Sequence, residues 1–218
     1  MKFVADSFSW PAQGDWKSSW LPGLIAVLLF PITFIPLLGY AIAATRAAET
    51  DAAAGPPRWT LSFRLLSDGF WTALVIALLT APFALVLNPL AGFLFDHHIG
   101  HVNDVAQSQL YAHVVAAFVL ALPWGLLLLL VMPHATARFA HTGNAKDLFD
   151  FPAAMRGVIR DFSTWNLAAA AMVTGWALGL AAVGLLCVGL VPGVFYAILV
   201  SAHASAALHD QGAHSPAR

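Results

Sequence analysis

Charged residues leave four long gaps along the chain, and this pattern predicts its helices. No Asp, Glu, Lys or Arg lies between Lys17 and Arg46, between Asp68 and Asp96, between Asp104 and Arg138, or between Asp161 and Asp210. A helix of about 20 apolar residues crosses the hydrocarbon core of a bilayer. The first three gaps each accommodate one span, whereas the last is too long for a single helix and predicts two.

The pattern therefore predicts an all-α, polytopic helical membrane protein with four clear spans and a further, proline-broken apolar segment. The four spans are expected at about 70–87, at about 110–132, and twice within 165–207. We expect one integral membrane domain over residues 1–218. Three parts of it lie outside the spans: an interfacial segment at 1–20, an extracytoplasmic segment at 88–110 and a polar tail at 208–218.

The first apolar segment, residues 21–44, contains two prolines near its middle, Pro31 and Pro36. Proline removes a backbone donor and clashes with the preceding helical turn. Such breaks persist in membranes where neighbouring helices or water satisfy the freed carbonyl groups. Two interpretations stay open: a kinked fifth span, or a re-entrant pair of half-helices that leaves the N-terminus cytoplasmic.

Two stretches repeat apolar residues with helical spacing and predict amphipathic helices on the membrane surface. The first stretch aligns Trp59, Phe63, Leu66 and Phe70, and the second aligns Leu148, Phe151, Met155, Val158 and Phe162. Indole rings favour the headgroup level, and arginines favour anionic headgroups. The predicted membrane-interface residues are Trp16, Trp20, Trp59, Arg58, Arg64, Arg156 and Arg160. Docking of a cytoplasmic partner is the alternative role for the arginines.

The amino-acid composition is typical of a membrane protein. Hydrophobic residues make up 60% of the chain and charged residues 10%, whereas a soluble domain has about 25% charged residues. The net charge is −1, so no basic field attracts nucleic acid. The interacting partners expected from this composition are the lipid bilayer and other membrane protein subunits.

The distribution of basic residues predicts the orientation. Lys and Arg favour the cytoplasmic side of short loops. Segments 45–69 and 134–163 hold several arginines, whereas segment 96–109 holds none. The arginine-bearing segments are therefore expected in the cytoplasm, together with the C-terminus, and the histidine-bearing loop outside it.

Histidines supply the candidate chemistry. The stretch "DHHIGHVND" combines imidazole and carboxylate ligands that suit zinc, iron or copper, from Asp96, His97, His98, His101 and Asp104. A solvated external loop is the alternative. His113 and His203 lie in or near spans, where an ionisable group is a candidate for function. Either could ligate a haem or chlorophyll-type tetrapyrrole, or hydrogen-bond to a neighbouring helix. No cofactor is otherwise predicted.

Small residues give one further signal. Gly175 and Gly179 form a GxxxG pattern, which permits close helix packing, either within this chain or on another subunit. A weak internal similarity relates Pro36…Tyr40-Ala-Ile to Pro192…Tyr196-Ala-Ile. Internal repeats of this kind occur in transporter folds, and a chance match on so few identities is the alternative.

Several motifs together resemble a known family. They are Asp15-Trp16, Gly39-Tyr40, Arg46, Pro57-Arg58-Trp59 and Asp68-Gly69, followed by "ARFAHTG" and "LLCVGLVPGVFYAILVSAH". In these residues the chain resembles the prokaryotic integral membrane proteins catalogued as domain of unknown function 4013. The resemblance covers most of the chain except residues 88–110. It implies a bacterial or archaeal cytoplasmic-membrane protein and implies no reaction or ligand.

The sequence leaves three functions open. The first is a non-enzymatic scaffold or accessory subunit of a larger membrane complex, since no phosphate-binding loop, nucleophile elbow, zinc-protease or dinucleotide motif is present. The second is a small transporter or lipid-handling protein, which the proline-broken segments and the weak internal similarity favour. The third is a metal- or pigment-binding membrane protein.

Overall fold

A computed structural model describes residues 2–96, 105–182 and 189–210. All regular structure in these ranges is helical. The α-helices are α1 (Lys2–Ser9), α2 (Trp16–Leu28), α3 (Phe34–Thr50), α4 (Phe63–Leu94), α5 (Val105–Thr142), α6 (Lys146–Phe149), α7 (Phe151–Arg160), α8 (Phe162–Ala181) and α9 (Leu190–Asp210). Short 3₁₀ turns occupy Trp10–Ala12 and Ala52–Ala54. The predicted all-α class is confirmed.

Three helices in the described ranges are long and apolar enough to cross a membrane. They are α4, α5 and α9, judged by length and composition. Only 11% of the most apolar window of α4, and the same share of that of α5, is buried inside the protein, against 56% for α9. The first two helices thus present most of their apolar surface outwards, whereas α9 is a central helix.

The first apolar segment is broken, as its prolines indicate. Helix α2 ends at Leu28 and α3 begins at Phe34, with Pro31 in the intervening turn. Pro36 does not break the chain, because it lies in the first turn of α3, where a missing amide proton costs no helical hydrogen bond. The side chain of Thr33 closes the turn by donating to the carbonyl oxygen of Ala26.

The prediction of a separate amphipathic helix before the second span is wrong. Residues 57–62 are not helical, and one continuous helix, α4, runs from Phe63 to Leu94. Its start is fixed by Ser62, whose hydroxyl accepts a hydrogen bond from the amide of Leu65 at 3.1 Å, the usual role of an N-cap serine. The predicted segment at 88–110 is also partly helical, because α4 continues through Pro89 and α5 begins at Val105.

The second amphipathic stretch is divided by two aspartates. The carboxylate of Asp150 accepts from the amide of Ala153, and that of Asp161 accepts from the amide of Thr164. Each aspartate therefore starts a new helix, α7 and α8. Helix α7 buries Ala154 and Val158 and exposes Arg156 and Arg160.

The chain forms two compact units, one comprising Met1–Ala73 and Val131–Arg218, the other Leu74–Leu130. In the first unit, α9 packs against α1, α2, α3 and α8. A side chain at Gly179 would place its Cβ 2.4 Å from the carbonyl oxygen of Gly193, and Gly175 lies against Val200. The GxxxG pattern therefore packs α8 on α9 within this chain.

Candidate functional site

Arg46, near the end of α3, joins three helices. Its Nη2 lies 3.1 Å from Oδ2 of Asp68 in α4, and its Nε donates to the carbonyl oxygen of Ala140 in α5 at 2.8 Å. Asp68 is buried, and a buried carboxylate is stable only when paired. The guanidinium compensates this charge and at the same time satisfies a carbonyl group near the end of α5.

Two glycines bring the backbones of α3 and α4 into contact beside this ion pair. A Cβ atom at Gly39 would lie 1.9 Å from the carbonyl oxygen of Leu65, and one at Gly69 would lie 1.9 Å from that of Ile35. No side chain fits at either position without moving a helix. Such close approach is the usual function of small residues between membrane helices.

A second contact holds the linker after α3 against the start of α2. Ser19 Oγ donates to the carbonyl oxygens of Pro56 and Pro57 at 3.0 and 2.8 Å, and the Tyr40 hydroxyl donates to that of Pro57 at 2.8 Å. The rings of Tyr40 and Trp59 stack with centroids 4.3 Å apart and an interplanar angle of 8°. The double proline therefore supplies carbonyl acceptors at a fixed place.

An exposed ion pair lies at the edge of this contact. Arg58 Nη2 is 2.9 Å from Oδ2 of Asp15, and 75% and 55% of the two side chains are exposed. Pairs this exposed contribute little to stability. The pair nevertheless shows that the residue preceding α2 and the linker following α3 lie side by side.

The third contact is centred on His203 in α9. Its Nδ1 lies 2.9 Å from Ser7 Oγ in α1, and its ring lies 5.3 Å from that of Trp10. The Tyr196 hydroxyl donates to the carbonyl oxygen of Phe8 at 3.1 Å. This is the hydrogen bond to a neighbouring helix that the sequence offers as an alternative to tetrapyrrole ligation by His203. Ligation itself stays a prediction.

The α5–α7 corner carries a further charge network. Arg138 Nη2 lies 2.8 Å from Oδ1 of Asp147, and its Nη1 lies 3.5 Å from Oδ2 of Asp150. Because Asp150 also caps α7, the arginine fixes the turn between α5 and α7. Arg138 lies in the "ARFAHTG" motif, but the sequence did not predict its pairing with the two aspartates.

The predicted metal ligands mostly lie outside the described residues. Asp96 is exposed just beyond α4, whereas His97, His98, His101 and Asp104 are not described. Within the described ranges, no group of three His, Cys, Asp or Glu side chains is arranged to hold a metal ion. His113 is exposed on α5, with its Nδ1 2.8 Å from the carbonyl oxygen of Gln109. The metal site stays a prediction.

The predicted interface residues fall into two groups. Trp20 and Trp59 are partly buried against the core, and Trp20 donates to the carbonyl oxygen of Pro11 at 2.8 Å. Trp16 is exposed, with the Lys17 ammonium over its ring, and the arginines 58, 64, 156 and 160 are exposed. Trp10 lies in the segment 1–20 that was predicted to be interfacial, but it is fully buried.

A known protein family matches a large part of this chain. The family described as "Protein of unknown function (DUF4013)" matches residues 23–189, more than half of the chain. The chain belongs to this family. No curated protein and no solved structure matches this chain. The match covers Gly39-Tyr40, Arg46, Pro57-Arg58-Trp59 and Asp68-Gly69, whereas Asp15-Trp16 and the stretch from Leu190 onwards lie outside it.

In this DUF4013 protein, the motif residues that suggested the family build two contacts. Gly39, Gly69, Arg46 and Asp68 form the α3–α4 junction, and Tyr40 with the Pro57-Arg58-Trp59 segment holds the linker. In both contacts the charged groups and the hydroxyls are paired with each other or with carbonyl oxygens. The arrangement therefore positions helices. The pairing of Arg46 with Asp68 was missed from sequence, although a lone aspartate beside a charge-free span is a usable signal.

Proposed function

We propose that this protein is a non-enzymatic integral membrane subunit, a scaffold or accessory chain of a larger complex in a prokaryotic cytoplasmic membrane. In this proposal α4, α5, α8 and α9 are the four spans. Helix α8 has 20 residues, about 30 Å at 1.5 Å per residue, and it packs along α9. The arginine-bearing segments and the C-terminus face the cytoplasm, as the positive-inside rule favours.

The observation that carries the proposal is the open surface of α4 and α5 in the unit Leu74–Leu130. Most of their apolar surface faces outwards, and nothing in the described chain lies within 4 Å of where a Cβ at Gly92 or Gly125 would lie. His113 is exposed on the same unit. Small residues and an exposed polar side chain within a span favour a partner helix over lipid.

The test is the native mass of the tagged protein, extracted in mild detergent from its own host, with co-purifying chains identified. A discrete particle with other polypeptides at fixed ratio supports the proposal. A monomer or small homo-oligomer carrying only lipid contradicts it and favours lipid handling or transport.

A matched pair of variants sharpens this test. A Cβ at Gly125 meets no other part of this chain, so for Gly125→Leu we expect loss of the partner chains from a protein that still folds. Leu85→Ile changes an exposed residue of α4 at constant volume and should retain them. Equal retention in both variants would refute a partner seated on this face of α5.

A further inference from the structure

The α2–α3 hairpin has arms that are too short to cross a bilayer. Helix α2 has 13 residues and α3 has 17, which corresponds to about 20 Å and about 25 Å of helix. The hydrocarbon core is about 30 Å thick. The end of α3 also carries Arg46, Glu49 and Thr50, so its uncharged apolar part is shorter still.

The start of α2 and the first half of α3 lie at one level. Ser19, in the first turn of α2, and Tyr40, in α3, donate to the same carbonyl oxygen, that of Pro57. Arg58 pairs with Asp15, the residue before α2. Trp20 and Tyr40 also both contact the ring of Phe195. The chain therefore leaves this level at α2 and returns to it through α3.

The tip of the hairpin is apolar and outward-facing. The exposed fractions of Leu28, Phe30 and Ile32 are 69%, 56% and 85%. No charged residue lies between Lys17 and Arg46. A tip that emerged into water would expose these side chains at the far membrane surface, at a cost of roughly 25 cal/mol per Å² of apolar area.

Most amides of the turn are hydrogen-bonded within it, as hydrocarbon favours. The amides of Leu29, Phe30, Ile32 and Phe34 each donate to a carbonyl oxygen three or four residues earlier. Pro31 has no amide proton to satisfy, and the Thr33 hydroxyl donates to the Ala26 carbonyl oxygen. A turn with these bonds can lie in a medium without water.

We propose that α2 and α3 form a re-entrant hairpin whose tip, residues 28–32, lies among the acyl chains of the bilayer. The hairpin enters and leaves on the side that holds Asp15 and the Pro57–Trp59 linker, so the N-terminal segment lies on that side too. Its arms pack on α9, which is apolar enough to cross a membrane, and this contact continues the lipid-embedded surface. The inference rests on the proposal that the protein is membrane-integral.

The test uses single cysteines and a membrane-impermeant maleimide on intact and permeabilised cells, in a Cys187→Ala background. Exposed positions report on each side: Ala5→Cys before α2, Ile32→Cys at the tip, Gln109→Cys in α5 and Asn144→Cys after α5. We expect Gln109→Cys to react in intact cells. Ala5→Cys and Asn144→Cys should react only after permeabilisation, and Ile32→Cys only after the membrane is dissolved.

The alternatives give different patterns. Reaction of Ala5→Cys in intact cells would overturn the hairpin in favour of a complete fifth span. Reaction of Ile32→Cys in intact cells would show a hairpin that crosses. Release of the chain from membranes by alkaline carbonate would refute the proposed function together with the hairpin. The labelling pattern tests only the hairpin. A quencher on lipid acyl chains should lower the emission of a fluorophore on Ile32→Cys and leave one on Ala5→Cys unchanged.

Discussion

Replacement of Gly39 by alanine tests whether the α3–α4 junction is as close as the structure shows. The new Cβ would lie 1.9 Å from the carbonyl oxygen of Leu65, whereas ordinary contact begins at 3.4 Å. The helices must therefore separate by about 1.5 Å, the difference of these two distances. The opposing atom is backbone, so a side-chain rotation cannot relieve the clash. Separation also pulls Arg46 away from Asp68.

Two effects of opposite sign determine the magnitude. Overpacking of a close contact costs about 1–3 kcal/mol and occasionally more. Alanine gains about 1 kcal/mol over glycine inside a helix. Because the clash is with backbone and strains the neighbouring ion pair, the cost lies at or above the upper end. We expect a net loss of about 2 kcal/mol in the free energy of unfolding.

Unfolding in mixed detergent micelles, followed by circular dichroism, measures this loss. The chain offers a matched control in Gly125, also helical, where a Cβ has no neighbour within 4 Å. Gly125→Ala should be neutral or stabilising by up to about 1 kcal/mol in the isolated protein. Equal stability of Gly39→Ala and Gly125→Ala would refute the close crossing of α3 and α4.

Three further predictions concern the polar contacts. Arg46→Met or Asp68→Leu alone leaves a charge unpaired and should lower the free energy of unfolding by about 3 kcal/mol. The double variant should lose less than the sum of the two single losses, and additive losses in this double-mutant cycle would rule out the pair. Tyr40→Phe removes one donor from Pro57 and should lower the free energy of unfolding by about 1 kcal/mol, with no change meaning that the linker is held otherwise. Arg58→Gln should change it by less than about 1 kcal/mol, because the pair is exposed; a larger loss would show that the linker contact depends on this charge.

The sequence predicted the helical class and the break in the first apolar segment, because both depend on local properties. Long charge-free runs require helices in lipid, and Pro31 disrupts the helix in which it lies. The sequence pattern did not show where α4 begins. The apolar residues from Trp59 to Phe70 have helical spacing, although residues 57–62 are not helical. Ser62 starts the helix, and its role is visible only once its hydroxyl is seen to cap Leu65.

The contacts of the candidate site could not be predicted from the sequence, since they join residues far apart in the chain. Arg46 and Asp68, or Ser7 and His203, become partners only when helices cross at a particular place and angle. Gly39 and Gly69 allow this crossing of α3 and α4, because a Cβ at either position would clash with the backbone of the other helix.

By itself, the sequence determined that the chain is helical, apolar enough for a membrane and a member of DUF4013. These conclusions follow from composition, from the spacing of charges and from short motifs, all of which are local. Only the tertiary structure shows that the Gly-Tyr, Arg, Pro-Arg-Trp and Asp-Gly motifs build one helix junction and one linker contact. It also shows that the start of α2 and the first half of α3 lie at one level. The physical reason is that packing and ion pairing depend on distances across the fold, which a one-dimensional pattern does not contain.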